Sequence, residues 1–421
     1  MVINISLVLK NCKLIDKNGE YYIKMNDGKI TDISKTPLKA DKIINVNDNY
    51  VLPGFIDPHV HFRDPGLTQK EDFKSGSEAA ANGGFTTVID MPNTLPKTNT
   101  YKALKEKIKI GKNKSIVNFE LQIGHNTLSE MEKMMSLNPI CVKIFMDLES
   151  DDSLEKIFHN LRILKEKTNY NGLVATHCEK KSIVKNNTEK LKEKNENTPI
   201  DYSYARSNES EDESVRQAIE LAKANNLQLH ICHLSSIKSL DMVKTASKHM
   251  DISWEFTPHH LLLENSSYDV YGTLIKTNPP LRPEGKNVKI SDIDEKSIIG
   301  TDHAPHTLED KQKGVWNSSP GIPNLETVVP LLLTEVNKGN LDLKLIPKIL
   351  SENAAKTYNL KNKGKIAIGY DADITVIDLK RTGKFNINEF KTKASYSPFD
   401  GWEYKGLSIM TIVNGKIINK K

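Results

Sequence analysis

The 421-residue sequence reads as an α/β protein: a (β/α)8 TIM-like barrel with a small β-sandwich domain formed by the N- and C-terminal segments. Three features lead there. The middle of the chain alternates strand-like apolar runs with amphipathic helical stretches. Both ends carry short alternating strands around tight turns. Polar residues (His59, His61, Asn93, Lys143, His177, His233, Asn278 and Asp302) recur at the C-terminal ends of nearly all the central strands, the face on which barrel enzymes carry their chemistry.

At the N-terminal end, "ISLVLKNCKLI", "YYIKMNDGKITDIS" and "KIINVNDNYVLP" alternate like strands, and "NDGK" is a hairpin signal. At the other end, "KIAIGYDADITVIDL" and "LSIMTIVNGKIIN" repeat the pattern around an Asn-Gly turn. Residues 1–50 and 365–421 are therefore expected to form one small β domain, and residues 51–364 the barrel. The central strand-like runs are "FTTVIDM", "IVNFELQIG", "CVKIFM", "GLVATHC", "LQLHICHL", "DISWEFTPHH" and "SIIGTDHA", preceded by "VLPGFIDPHVHF". Stretches such as "TYKALKEKIKI" and "ESEDESVRQAIELAKANN" between them place apolar residues at helical spacing. No internal repeat marks a solenoid.

Composition excludes several classes. At 38% hydrophobic and 27% charged the chain is ordinary for a soluble globular protein. A net charge of +5 is weak, and lysine-rich stretches such as "EKKSIVKNNTEKLKEKNEN" read as solvated surface, so no nucleic-acid partner is expected. No apolar run is long enough to span a membrane. The opening "MVINISLVLKNCKLIDKNG" reads as a strand, with neither the basic start nor the cleavage site of a secretory leader. Cys12, Cys141, Cys178 and Cys232 lack CxxC spacing, which points to reduced thiols and a cytoplasmic setting.

His59 and His61, two apart on one strand, face the same side. His177 ends "LVATHC", His233 ends "HICH" and Asp302 follows "SIIGT". Histidines and a carboxylate at successive strand ends suit a divalent ion such as zinc. Of the two histidines in "HICH", His233 is nearer the strand end; His230 reads as a core or supporting residue, as do His259 and His260. Lys143 sits in the apolar strand "CVKIFM", where a bare ammonium is costly unless paired or modified. Carbamylation would make it an anionic bridge between two ions. A lysine that snorkels, or a bridge supplied by Asp147 or Asp151, remains open.

"GFIDPHVHFRDPGLTQKEDF", "DMPNT", "VKIFM", "THCE", "HICHLSS", "TPHHLLL", "NPPLR", "GTDHAPHT" and "GYDADITVID" resemble the dihydroorotases of the cyclic amidohydrolase superfamily, in family order over nearly the whole chain. The resemblance implies two zinc ions held by His59, His61, His177, His233 and Asp302 and bridged by carboxylated Lys143. It implies that Arg63, Asn93, Asn278 and His306 hold the substrate carboxylate, with a backbone contact from Gly321, and that "TLEDKQKGVWNSSPG" is a loop over the site. The implied reaction is the reversible cyclisation of N-carbamoyl-L-aspartate to dihydroorotate in de novo pyrimidine synthesis, with Asp302 as proton shuttle. A small-molecule substrate is expected; a homodimer and an association with aspartate transcarbamoylase are left open. The rival readings are another cyclic amidohydrolase, allantoinase or dihydropyrimidinase, and a non-catalytic structural partner of the transcarbamoylase. The last should have lost ligands, and this chain keeps them all.

Overall fold

The computed structural model describes residues 6–421; Ile5 of the expected first strand, with the rest of residues 1–5, lies outside the described residues. Eight parallel strands form the barrel: Phe55–Val60, Phe85–Asp90, Asn118–Gly124, Cys141–Phe145, Leu173–His177, Gln228–Ile231, Ile252–Phe256 and Ile298–Ile299. Val60 bridges His303 in parallel and closes the ring just past the last strand. The first two strands are buried at every position, as expected when one face meets the lumen and the other the helices.

The helices follow local rules. Thr100 caps Tyr101–Lys114, and Lys112 and Lys114 sit in its last turn, where the helix dipole favours cations. Ser150 caps Asp151–Lys167, which buries Leu154, Ile157, Phe158, Leu161 and Leu164 along one stripe. Lys181–Glu193 buries no residue, in keeping with its lysine-rich sequence.

The two ends of the chain meet in one mixed eight-stranded sheet. Its link is Tyr50–Pro53, which pairs parallel with Leu7–Leu14 and antiparallel with Ile374–Lys384. Leu9, Ile23, Ile30, Val51, Ile374, Val376, Met410 and Ile412 share its apolar core. Two hairpins turn on Asp27-Gly28 and Asn414-Gly415, with φ of 50° and 73° in the first and 49° and 75° in the second, the left-handed pairs of a type I′ turn. The four cysteines are buried and unpaired. Among the described residues no helix is long and apolar enough to cross a membrane.

Two details differ from the sequence reading. Asn278 does not end a strand; it lies in the connection between the seventh and eighth strands, after the short turn Gly272–Ile275. The eighth strand is only two residues long, so Asp302 stands on the loop beyond it.

Gly54 joins the terminal sheet to the first barrel strand. A Cβ there would lie 2.2 Å from Thr86 Oγ1 and 2.8 Å from Thr86 Cβ, on a barrel strand that cannot withdraw. Gly54→Ala should therefore lower stability by about 1–3 kcal/mol, the usual cost of overpacking. Chemical denaturation of the metal-free protein measures it, and an unchanged midpoint would show that the junction is loose.

Candidate active site

The first strand delivers His59 at its end and His61 one residue beyond it. His59 Nδ1 donates to Glu255 Oε1 and His61 Nδ1 donates to Asn93 Oδ1 at 2.7 Å. With Nδ1 donating outward, each ring turns its Nε2 inward. Those atoms lie 3.3 Å and 3.0 Å from Asp302 Oδ1. Two nitrogens and a carboxylate oxygen thus meet across a gap that suits a cation, a role that a proton on His59 Nε2 fills in the metal-free protein. Burial opposes charge on His59, yet Glu255 and Asp302 outweigh it and push the imidazole up to about 10. That is the pull a metal ion would satisfy in place of the proton. Burial, with the charges of Arg63 and His59, holds His61 down at about 4.

A second group adjoins the first. His177 Nε2 donates to Glu179 Oε2 at 2.7 Å, which leaves Nδ1 bare, 2.9 Å from His233 Nε2. The His59 and His233 rings are 5.2 Å apart. His233 Nδ1 is buried without a partner. Among the described residues Lys143, 1% exposed, reaches only the Cys232 thiol, at 2.8 Å, and the face of Phe145. Donor atoms of His59, His61 and Asp302 lie within 4.8 Å of one another, as do those of Asp147, His177 and Glu179. The facing ring nitrogens of His177 and His233, the inward Nε2 atoms of His59 and His61, the Asp302 carboxylate and a lysine that meets a thiol are a donor set that fits a metal centre.

The alternative bridging acids lie outward. Asp151 starts a helix, 59% exposed and paired with Lys180. Asp147 Oδ1 is 3.8 Å from His177 Nε2, but its other oxygen is bound by Arg206 at 2.7 Å.

Arg63 leaves the same strand end two residues past His61 and is 7% exposed. Among the described residues no carboxylate pairs with it; Nη2 is 3.0 Å from His306 Nε2, and Nε has no partner. Asn278 accepts from the Tyr202 hydroxyl, which leaves its amide N–H groups to point elsewhere. Gly321 N donates to Lys276 O at 2.8 Å, so its N–H is already engaged.

Residues 50–418 match the amidohydrolase family. The chain belongs to that family. It is 48% identical over 421 residues to a dihydroorotase of Methanosphaera stadtmanae, covering 99% of this chain and 96% of that protein. A dihydroorotase of Methanothermobacter thermautotrophicus is 43% identical over 98% of this chain and 94% of its own length. Among solved structures, the L-hydantoinase (dihydropyrimidinase) of Arthrobacter aurescens superposes with a TM-score of 0.92 at 30% identity, covering 99% of this chain and 96% of that one.

In this amidohydrolase three site residues hold left-handed backbone: Arg63 at φ 61°, His233 at 35° and Asp302 at 46°. Such positions cost roughly 1–3 kcal/mol each and cluster where side chains must be aimed against local preference. Residues 307–321 adjoin the site, Pro320 O lying 2.9 Å from His306 Nε2. Lys276 Nζ grips Val315 O at 2.6 Å and Ser318 O at 2.7 Å, and Lys311 Nζ grips Lys276 O, Ser319 O and Gly321 O at 2.9 Å each.

Sequence reasoning passed over Glu255, Glu179 and Arg206. Glu255 had a signal, a lone acid inside the apolar "SWEF" strand. Glu179 had one too, two residues past His177. Arg206 follows a short helix with nothing to mark it. In the structure Arg206 binds both Glu179 oxygens and Asp147. Burial works to raise Glu179, and Arg206 and His177 overcome it, holding the carboxyl down at about 2.

Glu255→Gln keeps the shape of the side chain and removes its charge. It should destabilise the metal-free protein by about 1.5–3 kcal/mol, the worth of a charge-assisted hydrogen bond. Denaturant titration reads the loss, and metal content should fall in the same preparation.

Proposed function

We propose that this amidohydrolase is a dihydroorotase: it interconverts dihydroorotate and N-carbamoyl-L-aspartate by making and breaking the ring amide C–N bond. The observation that carries the reading is the buried Arg63 guanidinium, which has no acid partner among the described residues and lies beside the His59, His61 and Asp302 cluster. An unpaired buried guanidinium is costly in the free protein and calls for an anion. Dihydroorotate carries a carboxylate on its ring. A hydantoin or dihydropyrimidine ring without one would leave Arg63 stranded.

Arg63, His306, Asn93 and Asn278 bind the substrate carboxylate and fix the ring, a planar fork and amide donors being well matched to that group. His59, His61, His177, His233, Asp302 and Lys143 would hold the metal, zinc being the ion that this nitrogen and oxygen set suits. When bound, the metal would polarise the scissile carbonyl and acidify a water. In hydrolysis Asp302 takes the proton of the attacking water on a carboxylate oxygen. It passes that proton to the ring nitrogen as the C–N bond breaks. Ring closure retraces the path: Asp302 takes the ureido proton and returns it to the departing water. Residues 307–321 exclude bulk water while this happens.

Lys143 as its carbamate completes the donor set. Carbon dioxide adds to the neutral amine with loss of one proton, turning the unpaired buried group into a carboxylate-like bridge. The single thiol contact of Lys143 supports this reading.

Arg63→Met should raise KM for dihydroorotate and lower kcat/KM by roughly ten- to hundredfold with metal content unchanged, the loss expected for a charge-assisted bond. Unaltered kinetics would remove Arg63 from the site, and an enzyme that preferred hydantoin or dihydrouracil over dihydroorotate would overturn the reading. Lys143→Ala should lose metal as well as activity, measured by elemental analysis, and short carboxylic acids should restore part of both.

A further inference from the structure

Lys70 takes no part in the carboxylate clamp described above. Its Nζ lies 3.0 Å from His306 Nδ1 and 2.8 Å from Asp310 Oδ2. An ammonium has three N–H bonds and no lone pair. It can only donate, so His306 Nδ1 must present its lone pair. The imidazole proton then sits on Nε2, which donates to Pro320 O at 2.9 Å. The opposite tautomer is disfavoured twice over. It would aim an N–H at the Lys70 ammonium and a bare nitrogen at the Pro320 carbonyl.

This assignment changes the meaning of the contact between His306 and Arg63. Arg63 Nη2 is 3.0 Å from His306 Nε2, and a guanidinium too has no lone pair. Two N–H donors therefore face each other, next to the unpartnered Arg63 Nε. An anion lodged there accepts from Arg63 and takes over the Nε2–H that Pro320 O accepts in the free protein, which relieves the conflict. Burial and the charges of Arg63, Lys70 and Lys311 hold the His306 imidazole far below its ordinary range, so it is neutral and its tautomer decides what it offers.

We propose that Lys70 is a specificity-determining positioning residue that fixes His306 as the Nε2–H tautomer, so that His306 and Arg63 present converging donors to the substrate carboxylate. The identity of that carboxylate rests on the dihydroorotase reading. Asp310 pairs with the lysine and ties it to the short helix Leu308–Lys311 at the start of that loop. Its other oxygen is held by Lys313 at 2.7 Å, so the loop and the clamp share one charge network.

The test joins a tautomer measurement to kinetics on the metal-loaded enzyme. Nitrogen-15 spectra of histidine-labelled protein, with His306 assigned by its loss in His306→Gln, should show the Nε2–H form in the wild type. Lys70→Met should lose that fixed form, and Lys70→Gln, whose amide N–H still donates, should keep it. The KM for dihydroorotate should rise roughly tenfold in Lys70→Met, with a smaller change in kcat and partial recovery in Lys70→Gln. A wild-type His306 protonated at Nδ1 overturns the proposal. So does a Lys70→Met enzyme whose tautomer shifts while KM stays the same. If the wild type shows the Nε2–H form but turns over no dihydroorotate, the substrate reading fails instead.

Discussion

The carboxylate of Glu255 ties the barrel together at the level of the site. It stands on the seventh strand and is fully buried. One oxygen accepts from His59 of the first strand and from the backbone N–H of His233, just past the sixth. The other meets His230 Nε2 of the sixth strand at 3.1 Å. A Cβ on Gly300, beyond the eighth strand, would lie 2.7 Å from that second oxygen, so the acid is pressed against a fourth neighbour. Burial works to raise its pKa, and His59 and His230 outweigh that and hold it well below the usual carboxylate range. Metal-ligating histidines commonly have such an acid behind them, which fixes tautomer and ring direction. Here the same acid also holds His233 at its left-handed φ of 35°.

From that anchor the mouth divides into two complementary halves. On one side metal-ligating groups converge: the Nε2 atoms of His59 and His61 and the carboxylate of Asp302. On the other side donors converge: Arg63 and, in the tautomer that Lys70 selects, the Nε2–H of His306. Each half is unfavourable by itself, because like groups face like groups in a place water scarcely reaches. Together they describe a site for a cation beside a site for an anion. The strained backbone at Arg63 and Asp302 belongs to this arrangement, since both residues leave strand ends that would otherwise aim their side chains elsewhere.

Much of this was legible in the sequence, for physical reasons that can be named. The barrel strands are readable because both faces are buried, which makes each an almost unbroken apolar run between polar helices. His59, His61, His177 and His233 are readable because imidazoles at strand ends are rare without a purpose. Asn278 was misplaced because the connection after the seventh strand is a series of short turns with no periodicity to read. Glu255 escaped because one acid in a strand does not announce its partners, which come from strands some two hundred positions and about twenty positions away; the His59 and Glu255 separation is 196 residues. Lys70 escaped for a different reason. Its meaning depends on which nitrogen of a distant histidine it faces, and no spacing rule carries that information.

Lys143 shows how far backbone register can extend a side-chain argument. In the parallel barrel it pairs laterally with Ala175 on one side and with Gly124 on the other. Laterally paired residues point to the same face, so the neighbours of this long side chain are a methyl group and a hydrogen. A lysine that only filled the lumen would sit best among large apolar partners that cover its stem. Small neighbours instead leave the stem without that cover, and among the described residues the amine meets Cys232 and the Phe145 ring. The carbamate proposed above would put an anion there in place of a bare amine, near His233. The register thus favours the bridge at Lys143 over one from Asp147, whose carboxylate is already taken up by Arg206.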